Sequence, residues 1–107
     1  MIAPVNKEFR ITNFREFWQY YLQEHSKRGT RLVHFIFTNV AFCFLATFFV
    51  TLDFKFILIG LLSVYGPAFL SHFLIEKNRP ATFKYPIFSV GGDLKMWFYM
   101  LTGRIKI

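Results

Sequence analysis

The sequence is poor in the residues from which soluble enzymes build their commonest sites. Cys43 is its one cysteine, so the chain can form no intrachain disulfide. It contains no glycine-rich phosphate loop, no HExxH, no CxxC and no nucleophilic serine elbow. No stretch alternates apolar and polar residues as a half-buried strand does. These absences exclude several common hydrolase, redox and nucleotide-binding motifs, and they favour an all-α fold.

Charge is missing from the middle of the chain. Residues 32–52 and 56–75 contain no Asp, Glu, Lys or Arg, and at about 1.5 Å per residue each block is long enough to cross the hydrocarbon core of a bilayer. Apolar residues make up 54% of the chain, more than a soluble domain of this size would bury. We therefore predict an all-α membrane protein. Its transmembrane helices, over residues 32–52 and 56–76, form a hairpin with a turn at Asp53.

Two shorter amphipathic segments flank this hairpin. Residues 12–28 place apolar side chains three and four positions apart, and their aromatic residues are typical of a bilayer interface. We expect this helix to end at Lys27 to Gly29. A similar stripe follows over residues 93–102, where we expect Gly91-Gly92 to break the chain and Asp93 to be the N-cap. Both segments are predicted to be interfacial helices of a single membrane domain over residues 1–107.

The basic residues lie at the two ends of the chain. Of 13 lysines and arginines, six fall within residues 1–31, six within residues 76–107 and one in the turn. By the positive-inside rule, both termini are cytoplasmic, in a bacterial inner membrane or the endoplasmic reticulum. Basic ends around an apolar middle fit anionic lipid headgroups better than the groove of a nucleic acid. We therefore predict membrane lipid as a partner and no nucleic acid.

The three histidines are the candidates for a metal site. His34 lies 19 residues before Asp53 and His72 lies 19 residues after it, so an antiparallel hairpin places both at one depth. A helix break at Gly29 allows His25 to reach the same level. Neutral histidine is the commonest protein ligand for iron, zinc and copper. Taken singly, each histidine could instead satisfy a local hydrogen bond or interact with a helix dipole.

Carboxylates and cations near the histidines extend this candidate site. Open sites of histidine and carboxylate suit non-haem Fe(II) and oxygen chemistry, whereas zinc would indicate a hydrolase of membrane lipids. Glu24, Glu76 and Asp93 are available as a further ligand or as partners of the ligands. Of these, Glu76 is the predicted metal ligand, because it shares a helix face with His72. The candidate substrate-binding cations are Lys77, Arg79 and Lys84, which could also be ordinary flanking charge.

Four stretches of the sequence resemble one known family. They are YLQEH at Tyr21–His25, RLVHF at Arg31–Phe35, HFLIEKNRPATFKYP at His72–Pro86, and the SVGGDLKM run leading into LTGR. The chain is similar, from about Phe14 to Gly103, to small membrane proteins related to the yeast 2-hydroxy fatty acid dioxygenase, which acts in the conversion of phytosphingosine to odd-numbered fatty acids. Phe37 and Ser71 depart from the pattern, because relatives tend to carry glycine there.

The resemblance implies an Fe(II)-dependent reaction of O2 with a long-chain 2-hydroxy fatty acid, giving a product one carbon shorter, as in fatty acid alpha-oxidation. It also implies that His25, His34 and His72 are the catalytic iron ligands, while the ligand role of Glu76 is our own inference. The alternative is a non-catalytic membrane protein that binds lipid or assists assembly. A homo-oligomer is left open by the sequence.

Overall fold

The computed structural model describes residues 10–106, and this part of the chain is helical without strands. In order, its elements are α1 (Phe14–Glu24), α2 (Arg28–Thr51), α3 (Lys55–Ser71), a π-helical turn (His72–Glu76), a 3-10 turn (Ala81–Phe83) and α4 (Pro86–Leu101). The predicted all-α membrane fold is thus confirmed. Residues 1–9 and 107 of the predicted domain lie outside the described part.

The centre of the molecule is a hairpin of α2 and α3, which pack along each other. A Cβ atom at Gly60 would lie 3.3 Å from the Phe44 Cβ atom, which shows how closely the two helices approach. The helices Arg28–Thr51 and Lys55–Glu76 are both long and apolar enough to cross a membrane, and only 11% and 22% of their most apolar windows is buried within the chain. Their apolar side chains therefore need lipid around them.

The end of α1 lies earlier than the sequence predicts. The helix stops at Glu24, His25 is its C-cap, and Gly29 already belongs to the first turn of α2. The break therefore falls at residues 25–27 instead of at Gly29. The reason is a tertiary contact: the Glu76 carboxylate accepts hydrogen bonds from the Lys27 backbone N–H at 2.5 Å and the Ser26 hydroxyl at 3.0 Å. These bonds hold the chain at the start of α2, where a helix has unpaired N–H groups.

The predicted break at Gly91-Gly92 does not occur, and Asp93 is not an N-cap. α4 begins at Pro86, whose fixed φ suits a first helical position, and it continues through both glycines. A Cβ atom at Gly92 would lie 2.7 Å from Tyr21 Cδ2, and one at Gly91 would lie 3.0 Å from Phe14 Cε1. The two glycines therefore let the aromatic rings of α1 lie directly against the backbone of α4.

The packing of α1 against α4 forms the apolar core of the described residues. Its largest fully buried apolar side chains are Phe17, Tyr21 and Met96. Tyr85 joins this core from the start of α4, and its backbone carbonyl accepts a hydrogen bond from the Ser89 N–H. α4 also contacts α2, since the Trp97 indole N–H donates to Asn39 Oδ1 at 2.9 Å. This arrangement places α1 and α4 beside the ends of the hairpin that carry histidine.

Candidate metal centre

The three histidines meet at one point, as their depths in the sequence predict. Their ring centres are 4.5 Å apart for His25 and His72, 4.7 Å for His25 and His34, and 5.2 Å for His34 and His72. One ring nitrogen of each lies within 4.8 Å of the other two. All three side chains are at most 5% exposed. The histidines therefore form a buried cluster with the spacing of a metal site.

Each histidine lies at or near the end of a helix. His25 is the C-cap of α1, and His34 lies in the second turn of α2. His72 opens the π-helical turn that follows α3. After that turn Lys77 adopts a left-handed conformation with φ 63°, and the Asn78 N–H donates to the His72 carbonyl at 3.0 Å. The widened turn brings Asn78 back against the imidazole of His72, and such turns are frequent at functional sites.

The Nδ1 atom of every histidine faces a hydrogen-bond acceptor. His25 Nδ1 lies 2.7 Å from the Tyr21 carbonyl and His34 Nδ1 lies 2.8 Å from the Thr30 carbonyl. His72 Nδ1 lies 2.8 Å from Asn78 Oδ1. Because carbonyl oxygens only accept, each neutral ring carries its proton on Nδ1 and a lone pair on Nε2. This is the tautomer in which metal-ligating histidines are held by their outer partners.

Asn78 is held in turn by Glu24. The Asn78 Nδ2 atom donates to Glu24 Oε2 at 2.6 Å and to the Glu24 carbonyl at 3.0 Å. These bonds place the amide oxygen of Asn78 towards His72, where it can only accept. Glu24 is 5% exposed. Glu24 and Asn78 therefore orient His72 without touching the point where the three rings meet.

The facing Nε2 atoms of His25 and His72 lie only 3.0 Å apart. With both Nδ1 atoms protonated, two lone pairs point at each other, which is repulsive unless a cation lies between them. A proton is disfavoured there, because burial, followed by repulsion from His34 and His72, lowers the pKa of His25 well below its ordinary value. Two imidazole nitrogens that bind one ion at about 2.1 Å lie about 3.0 to 3.4 Å apart. The donor set thus fits a shared metal ion.

Glu76, the predicted fourth ligand, is not part of this group. Its two carboxylate oxygens bond to Ser26 and Lys27 at the start of α2. Among the described residues, the group of His, Cys, Asp and Glu side chains that could hold a metal consists of the three histidines. A ligand role for Glu76 is therefore left without support from the geometry.

The predicted substrate-binding cations lie outside the histidine cluster. Lys77, Arg79 and Lys84 are exposed on the segment between the π-helical turn and α4. The Lys84 ammonium lies 5.6 Å from the centre of the Tyr85 ring. None of the three lines the cavity beside the histidines. Their role in substrate binding stays a prediction.

A small half-enclosed cavity adjoins the histidine cluster. Its volume is about 10 Å³, close to the room that one water molecule needs. Besides the histidines, its lining includes the polar side chains of Tyr65, Ser89 and Asp93 and the apolar side chains of Ala68, Phe69 and Ala81. The Tyr21 hydroxyl donates to Asp93 Oδ1. The Tyr21 ring stacks on His25, with centres 3.9 Å apart.

Several residues of this site were not singled out from the sequence. Tyr21 and Thr30 hold imidazoles through backbone carbonyls, which any residue has, so their types carry no signal. Asn78 and Ser89 do lie in the stretches that resemble the known family. Their roles depend on contacts with α1 and with the histidines, which sequence spacing cannot show.

One family of known proteins matches most of this chain. The sequence model of a family described as "2-hydroxy-palmitic acid dioxygenase Mpo1-like" matches residues 11–105. No curated protein and no solved structure gives a significant match.

Proposed function

The chain belongs to the Mpo1-like family, and from this premise we propose that it is an Fe(II)-dependent dioxygenase that shortens long-chain 2-hydroxy fatty acids by one carbon. The observation that carries the proposal is the histidine cluster, in which one ring nitrogen of each histidine lies within 4.8 Å of the other two while every Nδ1 faces an acceptor. The resemblance seen in the sequence points to the same reaction class.

His25, His34 and His72 would hold the iron, which when bound supplies the activation of O2 that organic side chains do not provide. The chain itself fixes the three imidazoles in one tautomer and one orientation. It also keeps bulk water out, since the ligands are nearly buried. Tyr21 covers one face of His25, and Asn78 prevents the ring of His72 from turning.

The proposed reaction balances without a further reductant. A 2-hydroxy acid and O2 give the acid one carbon shorter, CO2 and water. The bond between C1 and C2 breaks, and C2 becomes the new carboxyl carbon. The four electrons that O2 accepts all come from the substrate. The site therefore needs room for the 2-hydroxy acid and O2 but for no organic co-substrate.

The alkyl chain of the substrate would lie along the hairpin. α2 and α3 border an apolar groove of about 170 Å³, lined by residues that include Ala41, Leu45, Gly60 and Val64. Val64 and Ala68 on α3 and His72, the residue that follows α3, are each four positions apart, so the groove continues the helix face that leads to the metal centre. The carboxylate would meet Lys77, Arg79 or Lys84 at the cytoplasmic surface, and both termini would lie on that side.

Iron analysis and product analysis together test the proposal. Protein purified anaerobically with iron should contain about one iron per chain. With 2-hydroxypalmitate it should consume one O2 for each acid of 15 carbons formed. His72→Ala should lose both properties, while the control Ser63→Ala, on the same helix and away from the site, should retain them.

Metal-free protein under these conditions would contradict the dioxygenase and favour the non-catalytic lipid-binding alternative. Stoichiometric zinc with no O2 consumption would instead favour a hydrolase of membrane lipids.

A further inference from the structure

α4 contributes two polar side chains, those of Ser89 and Asp93, to the lining of the cavity. Ser89 and Asp93 are four positions apart, so they lie one above the other on the inner face of the helix. Ser89 is 1% exposed, and its hydroxyl has no hydrogen-bond partner in residues 10–106. A buried hydroxyl without a partner is costly, which indicates that something else completes it.

Asp93 also retains capacity for another partner. Its Oδ1 atom accepts the hydrogen bond of the Tyr21 hydroxyl, and the described residues supply no other donor to the carboxylate. A carboxylate can accept several hydrogen bonds. The α4 side of the cavity lining therefore offers one acceptor, at Asp93, and one hydroxyl that both donates and accepts, at Ser89.

The size of the cavity limits what this wall can bind. About 10 Å³ admits one oxygen-bearing group and not a whole 2-hydroxy acid. A carboxylate is disfavoured beside Asp93, because two like charges at short range repel each other. An alcohol group fits both requirements, since its hydrogen can go to Asp93 while its oxygen accepts from Ser89.

We propose that Ser89 and Asp93 form the subsite for the 2-hydroxyl group of the substrate, so that α4 distinguishes 2-hydroxy fatty acids from unsubstituted ones. This inference rests on the proposed function and names the part of the substrate that enters the cavity. In this arrangement the 2-hydroxyl group of the substrate points inward between α4 and the histidines. The carboxylate remains at the open side, towards the exposed cations of residues 77–84.

Discrimination against unsubstituted acids follows from the same geometry. A site that is built to bond a hydroxyl group leaves its own buried polar groups unpaired when an analogue lacks that hydroxyl. Leaving a buried polar group unpaired weakens binding of the analogue, so the preference for the hydroxy acid should be on the order of 10- to 100-fold. Apolar contacts with the alkyl chain are equal for both acids and cannot supply this preference.

The test is equilibrium binding to iron-loaded protein in lipid nanodiscs under anaerobic conditions, where no turnover occurs. The probes are 2-hydroxypalmitate, 2-methoxypalmitate, whose oxygen has no hydrogen to donate, and palmitate. Wild-type protein should prefer the hydroxy acid over both others. Asp93→Asn turns an amide N–H towards the cavity and should reduce the preference to a few-fold, while iron content and palmitate affinity stay unchanged.

Ser89→Ala should cause a smaller loss of preference, and it serves as a second variant should Asp93→Asn disturb packing with Tyr21. Asp53→Asn and Ser63→Ala, which make the same chemical changes away from the cavity, should leave the preference intact. The inference is overturned if wild-type protein binds palmitate as tightly as the hydroxy acid, or if both cavity variants keep the wild-type preference.

The outcomes separate this inference from the proposed function. Selective binding of the hydroxy acid without any shortened product would refute the dioxygenase and retain the subsite. Normal product formation with an unchanged preference in both cavity variants would support the dioxygenase and refute the subsite.

Discussion

The two ends of the hairpin differ in which side chains they expose and which they bury. At the hairpin tip, residues 42–63, large apolar side chains face outward: Phe49 is 68% exposed, Val50 85% and Phe54 76%. At the histidine end, residues 14–38 and 68–100, polar side chains are enclosed: Glu24 is 5% exposed and His25 2%. A soluble domain would show the reverse at its surface and in its core. The tip therefore suits a lipid environment, and the histidine end encloses the candidate metal centre.

The hydrogen bonds of the two ends differ in the same way. At the tip, hydroxyl groups bond to carbonyls of their own helix, as Thr47 does to Cys43 at 2.9 Å and Ser63 to Ile59 at 2.7 Å. At the histidine end, side-chain bonds also join distant parts of the chain, as Asn78 does to Glu24 and Tyr21 to Asp93, alongside local bonds such as His34 to Thr30. Local bonding suffices in lipid, where each helix must satisfy its own polar groups. A chemical site requires bonds between elements.

The largest expected effect is the loss of metal when one ligand is removed from the histidine end. His34→Ala should reduce bound metal from about one ion per chain to near zero, because two remaining imidazoles cannot enclose the ion. Thr47→Ala, on the same helix at the tip, should leave the metal content unchanged. Elemental analysis of both purified variants checks this. Full metal retention in His34→Ala would show that His34 is not a metal ligand.

A charge at the hairpin tip should impair membrane insertion and nothing else. Leu62 is 63% exposed, and Leu62→Lys should cost about 3 kcal/mol of insertion free energy near the centre of a span. Phe83 is 60% exposed but lies outside both candidate spans, so Phe83→Lys should insert normally. The inserted fraction in a glycosylation-mapping assay measures both. Equal insertion of the two variants would contradict the assignment of the tip to lipid.

Removal of an orienting partner should weaken the metal site without abolishing it. Asn78→Ala leaves the Nδ1 atom of His72 without its acceptor, and we expect a loss of about 10- to 100-fold in metal affinity. Asn39→Ala is the matched control, because Asn39 bonds to Trp97 and touches no histidine. Competition with a chelator of known affinity gives the ratio. Equal affinities in the two variants would mean that Asn78 does not support the site.

The smallest expected effect is on the pH dependence of stability. Burial raises the pKa of Asp93 to about 6, whereas the pKa of Asp53, in the turn, is lowered chiefly by the Lys55 backbone N–H. An acid with a raised pKa favours the folded state when protonated, so Asp93 should reduce the free energy of unfolding as pH rises from about 4 to about 6. The shift corresponds to at most about 3 kcal/mol, and partial exposure reduces this to about 1–2.

Unfolding profiles of metal-free variants test this sign. The difference between wild type and Asp93→Asn should change by that amount between pH 4 and pH 6, because the histidines contribute equally to both proteins. The difference between wild type and Asp53→Asn should have the opposite sign, because wild type loses the stabilising contribution of the Asp53 carboxylate as pH falls and Asp53→Asn has none to lose. Parallel profiles for wild type and Asp93→Asn would show that the carboxyl group of Asp93 is as well solvated in the folded state as in the unfolded one.

The sequence predicts more of the tip than of the histidine end. The two apolar blocks locate α2 and α3 to within a few residues, and the equal distances of His34 and His72 from the turn predict that they meet. The prediction from the sequence is wrong at Gly91-Gly92. The two glycines predict a helix break because glycine weakens isolated helices. Within the fold the pair allows Tyr21 and Phe14 to lie against α4, and that packing outweighs the weak local preference.

The amino-acid order alone determined that the chain is helical, that two of its helices suit a lipid environment and that three imidazoles share a depth. These properties depend on hydropathy and helical rise, which act between neighbouring residues. Tertiary structure alone decided that Glu24 holds Asn78 against His72, that Glu76 bonds to the start of α2, and that Asp93 lies in the cavity. These depend on contacts between residues 47 to 72 positions apart, as with His25 and His72 or Tyr21 and Asp93. Such contacts form only when separate helices have packed, so no local pattern encodes them.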